Sequence, residues 1–222
     1  MERIAMTPPP APVTERPAVA RSAVRARLRV LNDRTLFALA ALALLVSLAL
    51  PYWHMTLLAP QYPGGLRVAI YLGPQGLAGD VAEVDGLNHY IGMMKLEKAA
   101  TLERAIAPYG VVALAAAAAL AAAVRRRWTA LLALPIVLFP AIFLADLAYW
   151  LWYFGHHLDP TAALSSAIKP FTPPVLGTGR VGQFAVIARF GAGLYLAFAA
   201  ALASAAALAL RWRLSGCAAE QG

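Results

Sequence analysis

Charge is scarce in this sequence and cysteine nearly absent. Only 14% of the 222 residues are charged, against roughly a quarter in soluble domains. The single cysteine, Cys217, excludes an intramolecular disulfide and a thiolate metal cluster. The chain has no Walker-type phosphate loop, no Gly-x-Ser-x-Gly elbow, no His-Glu-x-x-His and no Cys-x-x-Cys-His haem attachment. Nothing therefore points to an enzyme. No internal repeat is visible either, which argues against an inverted-repeat transporter.

What is abundant is apolar sequence, 61% of the chain, gathered in blocks separated by polar stretches. Four segments, 36–52, 106–124, 128–154 and 190–210, meet or approach the roughly 20 residues that a spanning helix needs. In hydrocarbon each such run must satisfy its own backbone, so each is expected to be a helix. The first is no signal peptide, because a bulky aromatic stretch follows it where small residues should stand. The expected fold is all-α: four transmembrane helices with a partly structured first outer loop. Residues 1–34 form a disordered basic tail, 35–213 the membrane domain and 214–222 a second tail. The outer loops are 53–105 and 155–188. Within the first, 67–72 reads as a short strand ended by Gly73-Pro74, and helices follow from Val84 and from Ala99. Helix two is almost all alanine and helix four rich in Ala and Gly, faces that let helices approach closely.

Arginine sets the orientation. Seven precede the first helix, Arg125, Arg126 and Arg127 lie between helices two and three, and Arg211 and Arg213 follow helix four. These twelve of nineteen basic residues belong inside. The other seven share the outer loops with six acids, Asp80, Glu83, Asp85, Glu97, Glu103 and Asp159. The expectation is a bacterial inner-membrane protein with both termini cytoplasmic. The net charge of +8 is then an orientation signal, its partners are lipids and membrane or periplasmic proteins, and no nucleic acid is implied.

All four histidines, His54, His89, His156 and His157, fall outside the spans or at the outer interface, and Met55, Met93 and Met94 cluster with them. A bis-histidine haem therefore has no ligands within the helices. His89 and Met93 share one face if the segment is helical. Imidazole and thioether without thiolate form a set suited to copper, cuprous copper above all. The plainer alternative is a polar interfacial anchor and ordinary apolar filler. Asp146, inside helix three, has either a functional partner such as His156 or a structural one such as Arg189. The aromatic run Tyr149, Trp150, Trp152, Tyr153, Phe154 reads as an interfacial belt, or as part of an electron-transfer subunit.

Three stretches together resemble a known group. Pro51-Tyr52-Trp53 with Ala59-Pro60-Gln61-Tyr62-Pro63, then Gly86-Leu87-Asn88-His89-Tyr90-Ile91-Gly92-Met93, then Gly155-His156-His157-Leu158-Asp159-Pro160 look like an uncharacterised family of small membrane proteins. That family is associated with bacterial nitrous-oxide-reductase gene clusters, beside the copper lipoprotein NosL and the NosD/NosF/NosY maturation machinery. The resemblance covers about residues 35–195 and includes Asp146, Trp150, Pro173 and Pro174. It departs at His157, where a polar amide is usual. It implies a neighbourhood of copper delivery and no established activity, and that agrees with the His/Met set. The leading expectation is therefore an accessory protein of copper-enzyme maturation that holds or passes copper at its outer face, with His89 and Met93 as ligands from the first loop and His156 from the second. Asp146, Asp159, His157, Met94 and His54 would be secondary. The competing expectation is a metal-free assembly subunit.

Overall fold

Trp53, Met55, Leu57 and Ala59 are buried, while His54 and Thr56 between them are half-buried and Leu58 is exposed. A period of two with one face buried is the signature of a strand. In the computed structural model this stretch is the central strand of a five-stranded antiparallel sheet. The all-α expectation is thereby overturned. The structure describes residues 32–124, 126–164, 166–181 and 184–219. The basic tail before residue 32 and the last three residues lie outside them.

The elements are α1 (Asp33–Ser47), β1 (Pro51–Ala59), β2 (Tyr62–Tyr71), β3 (Leu77–Gly79), α2 (Val81–Ile91), α3 (Thr101–Ala123), α4 (Ala133–His156), β4 (Gly177–Val181), β5 (Phe184–Phe190) and α5 (Ala192–Ala219). The sheet order is β3-β2-β1-β5-β4. Its core face carries Trp53, Met55, Leu57, Leu66, Val68, Phe184, Val186 and Ala188, all buried. The strand expected over 67–72 is thus the second half of β2.

Among the described residues three helices are long and apolar enough to cross a membrane, Thr101–Ala123, Ala133–His156 and Ala192–Trp212. The first apolar segment is a correction. Its helix has 15 residues, about 22 Å of rise, and does not continue to Tyr52. Ser47 Oγ donates to the Leu44 carbonyl at 2.6 Å and bonds the Tyr52 hydroxyl at 2.7 Å, folding the chain back over the helix end. Pro51, with no N–H to donate, then starts the strand.

Small residues do set the helix contacts. On α3 Val111, Ala115, Ala118 and Ala121 are buried, and on α5 Leu194, Ala197, Ala200, Ser204 and Ala207. The spacing of three and four is one face of a helix. α1 presents Phe37, Ala40, Ala41 and Leu44 to them and makes its most extensive contact with α5. Leu42, Leu45, Leu120, Leu138, Ile142 and Leu202 point outward, as a lipid-facing surface should.

At the end of the bundle remote from the sheet, Arg211 is buried rather than solvated. Its Nη2 and Nε reach Asp33 Oδ2 at 2.7 and 2.8 Å, with the two side chains only 6% and 1% exposed. Nη1 donates to Thr129 Oγ1 at 2.9 Å and to the Val124 carbonyl at 3.2 Å, and Nη2 to the Ala121 carbonyl at 2.6 Å. The guanidinium lies 5.0 Å from the Phe37 ring centroid. One arginine thus ties α1, α5, the turn after α3, and carbonyls at the end of α3 that have no partner within their own helix. Arg211, read from the sequence only as part of the orientation signal, is thus also a clamp.

Candidate outer site

The segment from α2 to the start of α3 is shaped by a buried carboxylate and by one glycine. Asp85, buried on α2, accepts from the Leu96 N–H at 2.6 Å, which draws residues 93–96 back across the helix. Gly92 caps α2 with φ +79°, and the Met93 N–H reaches the Asn88 carbonyl at 2.9 Å, a reversal open to glycine because it has no Cβ. α2 therefore ends at Ile91, and Met93 is not on a shared helical face with His89. The chain turns instead and brings Met93, half-buried, under the end of α2.

The segment between α4 and β4 is stitched to the α2–α3 segment. Asp159 N–H donates to the Gly92 carbonyl at 2.7 Å, and Leu164 N–H to the Tyr90 carbonyl at 2.9 Å. Phe171 N–H donates to the Gly155 carbonyl at 3.0 Å, folding the rest of the loop back on α4. The result is an open concavity of about 750 Å³ whose walls include His89, Met93, Met94, His156, His157 and Asp159. Six of the eight residues singled out from the sequence are thus together. His54 and Asp146 are not. His54 lies on the far face of β1, in a groove with Arg67 and Arg189. Asp146 sits about 15 Å down α4 from His156, on the face of Trp150 and near Glu103 of α3, with no part in the concavity.

The two α4 histidines are held by their own helix. His156 Nδ1 is 2.9 Å from the Trp152 carbonyl and His157 Nδ1 2.9 Å from the Tyr153 carbonyl. A carbonyl only accepts, so each Nδ1 carries the proton and each Nε2 keeps its lone pair for a ligand. Stacking fixes the rings further: His156 on Trp152 with centroids 4.9 Å apart, His157 on Tyr153 at 3.9 Å. Asp159 accepts from the Thr161 amide at 2.8 Å and its hydroxyl at 2.6 Å. Those bonds, with His89 nearby adding less, hold its carboxyl below the usual carboxylate range. It is an anion throughout the neutral range. Sequence reading missed Lys95 and Lys98, which also line the concavity, and the role of Thr161. The signal for the latter was present, since Asp-Pro-Thr is an Asx-turn composition.

Neutral imidazole and thioether suit cuprous copper chemically. The arrangement is open: among the described residues no three His, Cys, Asp or Glu side chains stand close enough together to hold a metal ion. A site made from this set needs Met93 as a ligand.

Comparison of the chain with protein-family models, with curated proteins and with solved structures finds no match.

Proposed function

We propose that the protein is a membrane accessory factor for maturation of a copper enzyme, holding or handing over cuprous copper in the outer concavity. One observation carries the reading. His89 near the end of α2, Met93 just beyond that helix and His156 at the end of α4 line a single open concavity, with the His156 Nε2 lone pair left available. Copper supplies no chemistry here beyond its own transfer; it is cargo. His89 and His156 bind it through nitrogen, Met93 through sulfur, and Asp159 offsets its charge. Lys95 and Lys98 suit a donor or acceptor protein that presents carboxylates. The resemblance of these same loop motifs to the copper-delivery neighbourhood is a further support.

The purified protein should take up about one equivalent of cuprous ion under reducing conditions, with zinc a weak competitor. His89→Ala and His156→Ala should each abolish uptake, Met93→Ala should weaken it less, and His157→Ala should matter little. Copper content equal in the wild type and the His89→Ala, His156→Ala double variant would end the proposal. A metal-free assembly subunit would then be the better reading.

The proposal places the sheet and the concavity in the periplasm and the Asp33–Arg211 end in the cytoplasm, because Arg34 and Arg126 join the basic tail there. A reporter active only in the periplasm should work when fused after Leu77 and be silent after Arg127. The opposite pattern would put the concavity on the wrong side for a secreted copper enzyme.

A further inference from the structure

The face of the sheet turned away from the core is basic. Strand register puts His54 of β1 directly opposite Arg189 of β5, and Thr56, two residues on, opposite Arg67 of β2. These four side chains share that face, because Trp53, Met55 and Leu57 of β1 point into the core. They line an open groove of about 680 Å³. Strand spacing and rise set the Arg67 and Arg189 Cα atoms about 12 Å apart, so two extended side chains can meet on one group held above His54 and Thr56. Among the described residues no carboxylate lines the groove, and neither guanidinium has an ion-pair partner. Asp80, just after β3, accepts from the Arg67 main-chain N–H at 2.8 Å instead.

The groove also stands at a definite depth. β1 follows α1, and β5 runs into α5. The span Ala192–Trp212 has 21 residues, about 31 Å of rise, which matches the hydrocarbon thickness of a bilayer. Ala192 therefore marks an edge of the hydrocarbon. Arg189 precedes it by three residues, within about 10 Å along an extended strand, and an arginine side chain bends back over such a distance to reach headgroups. Tyr71 and Phe190 line the same groove at the end of the sheet nearest the helices, as interfacial aromatics do. Below it the last turn of α1 exposes Leu45 and Val46, and the start of α5 exposes Tyr195 and Phe198, apolar surface for acyl chains.

We propose that this groove holds the phosphodiester of an anionic membrane phospholipid, gripped by Arg189 and Arg67 from either side, with His54 and Thr56 donating beneath it. Guanidinium forks match phosphate oxygens in pairs. Two cations with no carboxylate beside them favour a headgroup of net negative charge over a zwitterionic one, whose ammonium they repel. The proposal stands apart from copper.

Native mass spectrometry of the detergent-solubilised full chain counts the lipids it retains. With dioleoyl phosphatidylglycerol one more lipid should be retained than with dioleoyl phosphatidylcholine. Arg67→Gln and Arg189→Gln should each weaken its retention about fivefold, the effect of one arginine at an anionic surface, and the double variant should lose it. Arg180→Gln is the control. It removes the same charge from the same face, since Arg180 pairs with Ala185, but from outside the groove, and retention should stay at the wild-type level. Copper uptake should be unchanged in all these variants, so the two proposals fail independently. Equal retention of both lipids, undiminished retention by the double variant, or an equal loss in Arg180→Gln overturns the proposal. Displacement of the lipid by millimolar inorganic phosphate or by an acidic peptide would assign the face to a soluble anion and overturn it as well.

Discussion

Asp33→Ala is expected to destabilise the helix bundle by about 3–5 kcal/mol, because it removes the carboxylate that pairs with the buried Arg211 guanidinium. Reversible unfolding in mixed micelles, followed by circular dichroism, measures it. Arg211→Ala should cost a similar amount, since it removes the guanidinium paired with buried Asp33 and takes a donor away from the Ala121 and Val124 carbonyls. The two losses should not add. Asp33→Ala combined with Arg211→Met, which restores an apolar filling, should recover much of the stability, as buried ion pairs replaced by packed apolar residues often do. A single variant within about 1 kcal/mol of wild type would show that water reaches the pair and that the bundle closes without it.

Gly92→Ala should have the second largest effect, and a more local one. A Cβ at this position would stand 2.6 Å from the Asp159 carbonyl oxygen and 2.9 Å from its amide nitrogen, both backbone atoms. The φ of +79° adds about 1–2 kcal/mol for any residue with a Cβ. Neither cost is relieved without pulling the end of α2 and the segment after α4 apart. Amide exchange at Asp159 and Leu164 should therefore speed up on the order of a hundredfold, equivalent to about 2.7 kcal/mol, and copper uptake should fall with it. Gly86→Ala is the control: a Cβ there meets nothing within 4 Å, and alanine is the better residue inside a helix. Unchanged exchange in Gly92→Ala would mean that the loops are not held by this contact.

The long helices were legible because lipid demands continuous apolar sequence. The same continuity hid the sheet. β5 carries Phe184, Val186 and Ala188 on its buried face but Ala185 and Ile187 on the other, so its alternation is faint, and it runs almost directly into α5. β1 alternates more plainly at Trp53, Met55 and Leu57, but the apolar run of α1 leads into it, and only Ser47, Tyr52 and Pro51 mark the break. β2 was partly legible because Gly73-Pro74 ends it. For the site, the side-chain chemistry of His89, Met93 and His156 was readable while their geometry was not. The four-residue spacing of His89 and Met93 suggests one helical face, yet Gly92 stops the helix between them. Arg211 looked like any other positive charge at a helix end, because the carboxylate that buries it lies 178 positions away. Long-range pairing of this kind leaves no local trace.

The place of β1 in the sheet also sets an order of assembly. β2 follows β1 directly and can pair with it as soon as it emerges, and β3 then adds to β2, a local meander with short closing turns. The other edge of β1 has to wait for Phe184–Phe190, more than a hundred residues later, with α3 and α4 made in between. Throughout that interval the strand presents unpaired backbone groups, the condition in which edges recruit other strands. The last strand made is therefore the one that seals the sheet, and α5 must enter the bundle with it. A chain halted before residue 184 would hold a half-sheet with its central edge open, a natural target for quality-control proteolysis, and only the complete chain escapes it.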